Sequence, residues 1–166
     1  MQYETQIPNL TIRFAVEKDT PLILCFIKEL AQYENMLNEV VASEEILRDS
    51  LFHRKVAEVV IAEHNGEPVG FALFFHNFST FRGKSGIYLE DLFVRPNARG
   101  AGLGKALLSF LAKLAVDRGC ARLEWWCLDW NEPSIAFYKQ MGAKPMDEWT
   151  VYRVDKQALT DLDSQF

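Results

Sequence analysis

Tyr88-Leu89-Glu90-Asp91-Leu92-Phe93-Val94-Arg95-Pro96-Asn97-Ala98-Arg99-Gly100-Ala101-Gly102-Leu103-Gly104-Lys105-Ala106-Leu107-Leu108 changes character twice along its length. Tyr88 to Val94 is aromatic and branched and predicts a strand. Arg95 to Gly104 is basic and glycine-rich, with Pro96 as a breaker. From Leu103 onward, Leu103, Leu107, Leu108, Leu111 and Leu114 recur at spacings of three and four, which predicts a helix. A strand, a glycine turn and a helix in that order build a cradle for an anion. Glycines let the backbone approach closely, and the first amides of a helix have no partner within it. A Walker A loop would need Gly at Arg99 and Ser or Thr at Ala106, and a dinucleotide fingerprint would need Gly at Lys105, so both fail. What remains is Arg-x-x-Gly-x-Gly, formed by Arg99, Gly102 and Gly104. On the glycines alone, an ordinary tight turn with a helix cap stays open.

Outside this stretch the composition is that of a globular protein. The chain has 166 residues, nearly half apolar and a quarter charged, which suits one domain spanning 1–166. The net charge of -5 argues against a nucleic-acid surface, which wants a basic stripe. No apolar run reaches the ~18 residues of a membrane span, and the amino terminus is not basic-then-apolar. Cys25, Cys120 and Cys127 are odd in number and lack metal spacing. They read as buried, reduced thiols of a cytoplasmic protein. His53, His64 and His76 form no ligand pair, so no metal is expected.

In chain order, residues 1–10 show no pattern. Thr11 to Val16 predicts a first strand. Asp19, two residues before Pro21, predicts the cap of a helix running to about Tyr33. Ser43 opens a second short helix to about Leu51. Val56–Ala62 and Val69–His76 flank the turn His64-Asn65-Gly66-Glu67, and Asn-Gly marks a hairpin. Residues 78–85 read as a loop, and Gly86–Val94 as the third strand of the meander. Gly119 closes the long helix. Arg122–Leu128 then predicts a strand parallel to Gly86–Val94, Pro133–Met141 a short helix, Thr150–Val154 a last strand, and Asp155–Leu162 a helical tail. The fold class is mixed α/β (α+β), a central mixed sheet flanked by helices.

A second signature is Asp129-Trp130-Asn131-Glu132-Pro133-Ser134-Ile135-Ala136-Phe137-Tyr138, running on to Gly142. Together with the arginine-glycine loop it resembles the GNAT acetyltransferase superfamily over nearly the whole chain. Tyr88-Leu89-Glu90-Asp91, Leu30-Ala31-Gln32-Tyr33-Glu34, Phe81-Arg82-Gly83-Lys84, Asp129-Trp130-Asn131-Glu132 and Trp149 look like its diamine branch, that of spermidine/spermine and thialysine acetyltransferases. The resemblance implies acetyl-CoA as cosubstrate, held by Leu92, Phe93, Val94, Arg99, Gly100, Ala101, Gly102, Leu103, Gly104, Lys105, Asn131 and Tyr138. It implies an amine pocket of Glu29, Tyr33, Glu34, Phe81, Glu90 and Asp91, and a homodimer. Asn131 also reads as a helix cap and Tyr138 as helix packing.

The chemistry makes matching demands. An amine near pKa 10 is cationic at pH 7 and cannot attack a thioester. Glu90 is the expected proton acceptor, and alternation puts it opposite Leu89 and Asp91. Amides from Leu92 to Val94 suit a developing oxyanion, and the Tyr138 phenol suits the leaving thiolate. Attack is direct, in a ternary complex, and Cys127 reads as core. Polyamine-acetylating relatives carry an acid where Ser79 stands here, which favours a shorter or amino-acid-like amine. Arg82 and Lys84 are candidate partners for a substrate carboxylate. Acetylation of a protein lysine or amino terminus, and a silent CoA-binding module, remain as alternatives.

Overall fold

The structure, a computed structural model, describes residues 2–166. It comprises two compact units, residues 1–126 and Cys127–Phe166. In the first, six strands lie side by side in sequence order: β1 (Gln2–Glu4), β2 (Leu10–Phe14), β3 (Glu58–His64), β4 (Glu67–Ser79), β5 (Lys84–Val94) and β6 (Leu123–Trp125). All neighbours are antiparallel except β5 and β6. Between them runs α3 (Leu103–Asp117), the helix of the expected β-α-β unit. The other α-helices of this unit are α1 (Thr20–Tyr33) and α2 (Glu44–Arg48), the latter running on into a π-helical turn, Asp49–His53.

The two faces of the sheet carry different cores. On one, Phe71 pairs with Phe93, and α1 lays Phe26 flat on Phe71 at 5.3 Å between ring centroids. Ile23, Leu47, Leu51, Val59 and Ile61 complete that cluster. On the other face, Leu10, Ile12, Val60, Ala62, Ala72, Phe74, Ile87 and Leu89 are buried. There α3 packs on β4 and β5, and its Phe110 meets Tyr3 and Phe14 edge-on. Phe26, Phe71 and Phe74 are fully buried, and each represents roughly 2–3 kcal/mol of burial. α1 ends where Asn35 takes a left-handed φ of 59°, a conformation that Asn tolerates and that closes the helix.

Several expected elements differ. The first ten residues do contain a strand. Gln2-Tyr3-Glu4 pairs with Thr11–Arg13, and a three-residue strand with one apolar side chain leaves no periodic signal. The loop expected over 78–85 shrinks to Thr80–Gly83, because Phe78 pairs with Ser85 and Ser79 with Lys84. Ser79 is thereby buried in the hairpin. Residues 150–154, read as a last strand from their β-propensity, form none. Propensity describes a side chain's fit to a paired surface, and Tyr152 is instead 91% exposed. In this second unit the structured elements are α4 (Glu132–Gln140) and α5 (Lys156–Asp163).

Asp19 does not cap α1 through its side chain. Its Oδ2 accepts from Arg13 at 2.7 Å and from the Val16 amide at 2.8 Å, and its Oδ1 accepts from Arg13 at 3.0 Å. Burial alone would raise this carboxyl, but the Arg13 and Val16 hydrogen bonds outweigh it and hold the pKa below the ordinary value. The contribution to stability is therefore full above that ordinary value and is lost as pH falls through the lowered one. Asp19→Asn should cost about 2–3 kcal/mol at neutral pH. Denaturant melts of both forms should show the gap closing below about pH 4.

Candidate active site

The antiparallel ladder between β4 and β5 slips beside the carboxylates. Leu73 pairs with Asp91 and Phe74 with Leu89, so Glu90 is the extra residue of a β-bulge. Directly paired residues share a face, and Leu73 and Phe74 are consecutive. Asp91 therefore faces α1 with Leu73 and Phe93, while Leu89 faces α3. This corrects the alternation, which put Leu89 and Asp91 together. The bulge also coincides with the end of the parallel ladder. β6 pairs with β5 only from Ile87 to Leu89, so Glu90 to Val94 have no strand beside them on that edge.

Three carboxylates of the expected amine pocket gather here. Asp91 is pushed up to about 6, first by burial and then by the charges of Glu90 and Glu34. Glu34 follows the last residue of α1, and burial raises its carboxyl too. Glu90 is exposed. Phe81 stands at the β4–β5 hairpin tip, 96% exposed, with Arg82 and Lys84 also exposed.

Glu29 has a different partner. Arg95 grips its carboxylate through Nε at 3.0 Å and Nη2 at 2.8 Å. Arg95 also donates to the Pro68 carbonyl and lies over the Phe26 ring. The Arg95 hydrogen bonds hold Glu29 below the usual carboxylate range. This ion pair ties α1 to the end of β5 and commits an expected pocket acid to an arginine.

The glycine turn has the features of an anion cradle. Gly100 and Gly102 adopt φ of 86° and 82°, a region that side chains with a Cβ avoid. The first helical bond of α3 is donated by Ala106 to Gly102, so the amides of Leu103, Gly104 and Lys105 have no acceptor within the helix. The Leu103 side chain is core, 2% exposed, and only its backbone is available to a ligand. Arg99 donates to the Val94 carbonyl at 2.9 Å and stacks over Tyr33 at 4.8 Å from the ring centroid. Two residues expected to serve different ligands thus touch.

In the second unit, Asn131 is buried and its Oδ1 accepts from the Ser134 amide at 3.4 Å, capping α4. Tyr138 lies on that helix beside Phe137. Cys25 and Cys120 are free thiols, and Cys25 is exposed rather than buried. No group of three or more His, Cys, Asp or Glu is arranged to hold a metal among the described residues, and no helix among them is long and apolar enough to cross a membrane.

Residues 27–143 match the Acetyltransferase (GNAT) family. A thialysine N-epsilon-acetyltransferase of Bos taurus is 38% identical over 165 residues, 91% of this chain and 95% of that protein. An L-ornithine N5-acetyltransferase of Arabidopsis thaliana is 42% identical over 116 residues, 70% of this chain and 48% of that protein. An integron cassette protein of V. cholerae shares the fold with a TM-score of 0.79 at 28% identity, over 93% of this chain and 98% of that one. The mixed sheet flanked by helices is thus that of the GNAT fold. The chain belongs to the GNAT acetyltransferase family and is an N-acetyltransferase.

The raised Asp91 makes a stability prediction of opposite sign to that of Asp19. Between 3.8 and about 6 the folded chain keeps a proton that the unfolded chain releases, so stability falls as pH rises through that window. Asp91→Asn removes the buried charge. It should raise stability by about 2–3 kcal/mol at pH 7 and by nothing at pH 3.5, as read from melts at both pH values.

Proposed function

We propose that this chain transfers the acetyl group of acetyl-CoA to the side-chain amine of a small lysine-like or ornithine-like substrate, and that residues 1–166 act as one catalytic domain. The observation that carries this reading is the cluster of Glu34, Glu90 and Asp91 at a bulge where the sheet opens. A small amine arrives as a cation, and three neighbouring carboxylates attract it. Asp91 with its pKa near 6 is ionised at pH 7 and is a stronger base than an ordinary carboxylate. Relatives named for thialysine and ornithine acetylation support an amino-acid-like acceptor.

The cradle fits the diphosphate of CoA. Free helix amides from Leu103 to Lys105 and the left-handed Gly100 and Gly102 suit a close anion, with Arg99 adding charge. The cosubstrate supplies an activated acetyl group, and the chain does the rest. Glu90 takes the proton of the ammonium, directly or through water, while Asp91, Glu34 and Tyr33 hold the cation. The Arg95 amide donates to the Val69 carbonyl of β4, so by alternation the Phe93 amide is also turned to β4, and the amides of Leu92 and Val94 lie on the open edge of β5, where they suit charge developing on the acetyl oxygen. Asn131 caps the helix that carries Tyr138, whose phenol gives a proton to the departing sulfur. A cytoplasmic homodimer completes the proposal. Free thiols suit a reducing compartment, and exposed Phe78, Phe81 and Trp126 suit a covering partner.

A panel of diamines, polyamines and amino acids assayed for CoA release tests the substrate class. Silence across the panel would remove the small-amine reading. Two variants test the roles. Glu90→Gln should lower kcat/KM about a hundredfold near neutral pH, and the loss should shrink as pH nears the amine's own pKa of about 10. A pH-independent loss with a lowered melting temperature would make Glu90 structural. Tyr138→Phe should lower kcat about a hundredfold with acetyl-CoA affinity unchanged. Full turnover would return Tyr138 to packing.

A further inference from the structure

A second polar cluster lies on the same sheet face, next to the carboxylates. Tyr88 pairs across the parallel ladder with Glu124, and Asn77 pairs with Gly86. Glu124 Oε2 accepts from Asn77 Nδ2 at 2.8 Å and from Arg122 Nε at 2.8 Å. Both bonds fall on one oxygen, which leaves Oε1 to accept from something else. The glycine makes this arrangement possible. A Cβ at Gly86 would sit 2.4 Å from Asn77 Oδ1 and 3.0 Å from the Arg122 Cγ, so only Gly lets both side chains lie across β5 to meet Glu124.

The cluster is unfinished in a specific way. Asn77 Oδ1 and the Tyr88 hydroxyl are buried and have no hydrogen-bond partner among the described residues. Buried polar groups are normally satisfied, and each exception asks for an explanation. Tyr88 pairs with Glu124 across the ladder, and its hydroxyl lies within the fields of both Glu90 and Glu124. Trp126, 56% exposed, meets Tyr88 edge-on at 5.9 Å and offers an aromatic surface beside it. The Arg122 and Glu124 side chains are 39% and 34% exposed, open enough to receive a ligand.

Arg122 and Glu124 stand side by side with opposite charges. A lone ammonium has no use for the arginine, whereas an α-amino-acid head carries both an ammonium and a carboxylate. Tyr88 pairs with Phe75 and Asp91 with Leu73, so Tyr88 shares a sheet face with Asp91, and the bulged Glu90 lies between them in the strand.

We propose that Glu124 and Arg122, supported by Asn77 and Tyr88, form a subsite for the α-ammonium and α-carboxylate of an amino-acid acceptor, and that this subsite delivers the side-chain amine to Glu90. The proposal rests on the small-amine reading above and adds the basis of selectivity. Glu124 accepts from the α-ammonium, with the buried Tyr88 hydroxyl behind it. The terminal nitrogens of Arg122 take the carboxylate as a charge-assisted pair. An exposed ion pair on a strand contributes little to stability, so both side chains can be changed without unfolding the sheet.

L-ornithine and putrescine differ only by the α-carboxylate and form the diagnostic pair. Wild type should acetylate ornithine with the higher kcat/KM. Arg122→Gln should lower kcat/KM for ornithine about tenfold or more and leave putrescine unchanged, and Arg122→Lys should recover part of the loss. Glu124→Gln should lower both, since each substrate carries a second ammonium. Equal loss on the two substrates in Arg122→Gln, no loss on either, or a wild type that prefers putrescine would overturn the subsite while leaving the acetyltransferase reading in place. Release of CoA with neither amine would overturn the small-amine reading and the subsite with it.

Discussion

One extra residue in β5 governs the carboxylates of the candidate site. A regular strand would have placed Leu89 and Asp91 on one face, and Asp91 would have been a charge buried under α3 among Ile87 and Phe74. The bulge at Glu90 turns Asp91 to the α1 face, where Glu34 and Glu90 are its neighbours. The same point ends the pairing with β6. A single irregularity therefore opens the sheet edge, exposes Glu90 and gathers the acids. Bulges that re-aim side chains beside active sites are a recurring device. Here the energetic consequence is the desolvated Asp91 charge, a stability loss of the kind that clusters at functional sites.

The basic residues after β5 divide into two jobs. Arg95 turns back to Glu29, the Pro68 carbonyl and the Phe26 ring, and so holds α1 against the end of the strand. Arg99 bonds the Val94 carbonyl and stacks on Tyr33. The last turn of α1 thus supplies Tyr33 to the glycine loop and Glu34 to the acids. An arginine over a tyrosine face is worth about 0.5–1 kcal/mol when exposed. Its larger effect is positional, since it fixes the side of α1 on which Glu34 emerges.

The proposed reaction joins an anionic donor to a cationic acceptor, and the first unit separates charge accordingly. Free amides and Arg99 lie at the α3 end of the opening, whereas Glu34, Asp91, Glu90 and Glu124 lie toward β5 and β6. The modest net charge of -5 conceals this local division. Residues such as Arg122, whose partners come from neighbouring strand positions, refine it at the scale of a single functional group.

The sequence by itself determined the meander, the β-α-β unit, the glycine cradle and the family, because each is written in local signals. Alternation marked the strands, Asn65-Gly66 the hairpin, leucine spacing α3, and Arg99-x-x-Gly-x-Gly the loop. Asn131 was legible as a cap for the same reason. What only the tertiary structure decided are features that depend on partners distant in the chain. The bulge is a slip between two ladders, and no residue in Leu89-Glu90-Asp91 announces it. Glu29 was a pocket acid by position until Arg95, 66 residues away, claimed it. Asp19 was a cap until Arg13 reached it across the start of the domain. The strand expected over 150–154 had the right side chains and no ladder, while Gln2–Glu4 had unpromising side chains and a ladder. Tyr88, Asn77 and Glu124 meet only because β6 returns beside β5 after α3. Local pattern sets what a segment prefers, and long-range pairing and desolvation set which charges are used up and which remain for a substrate.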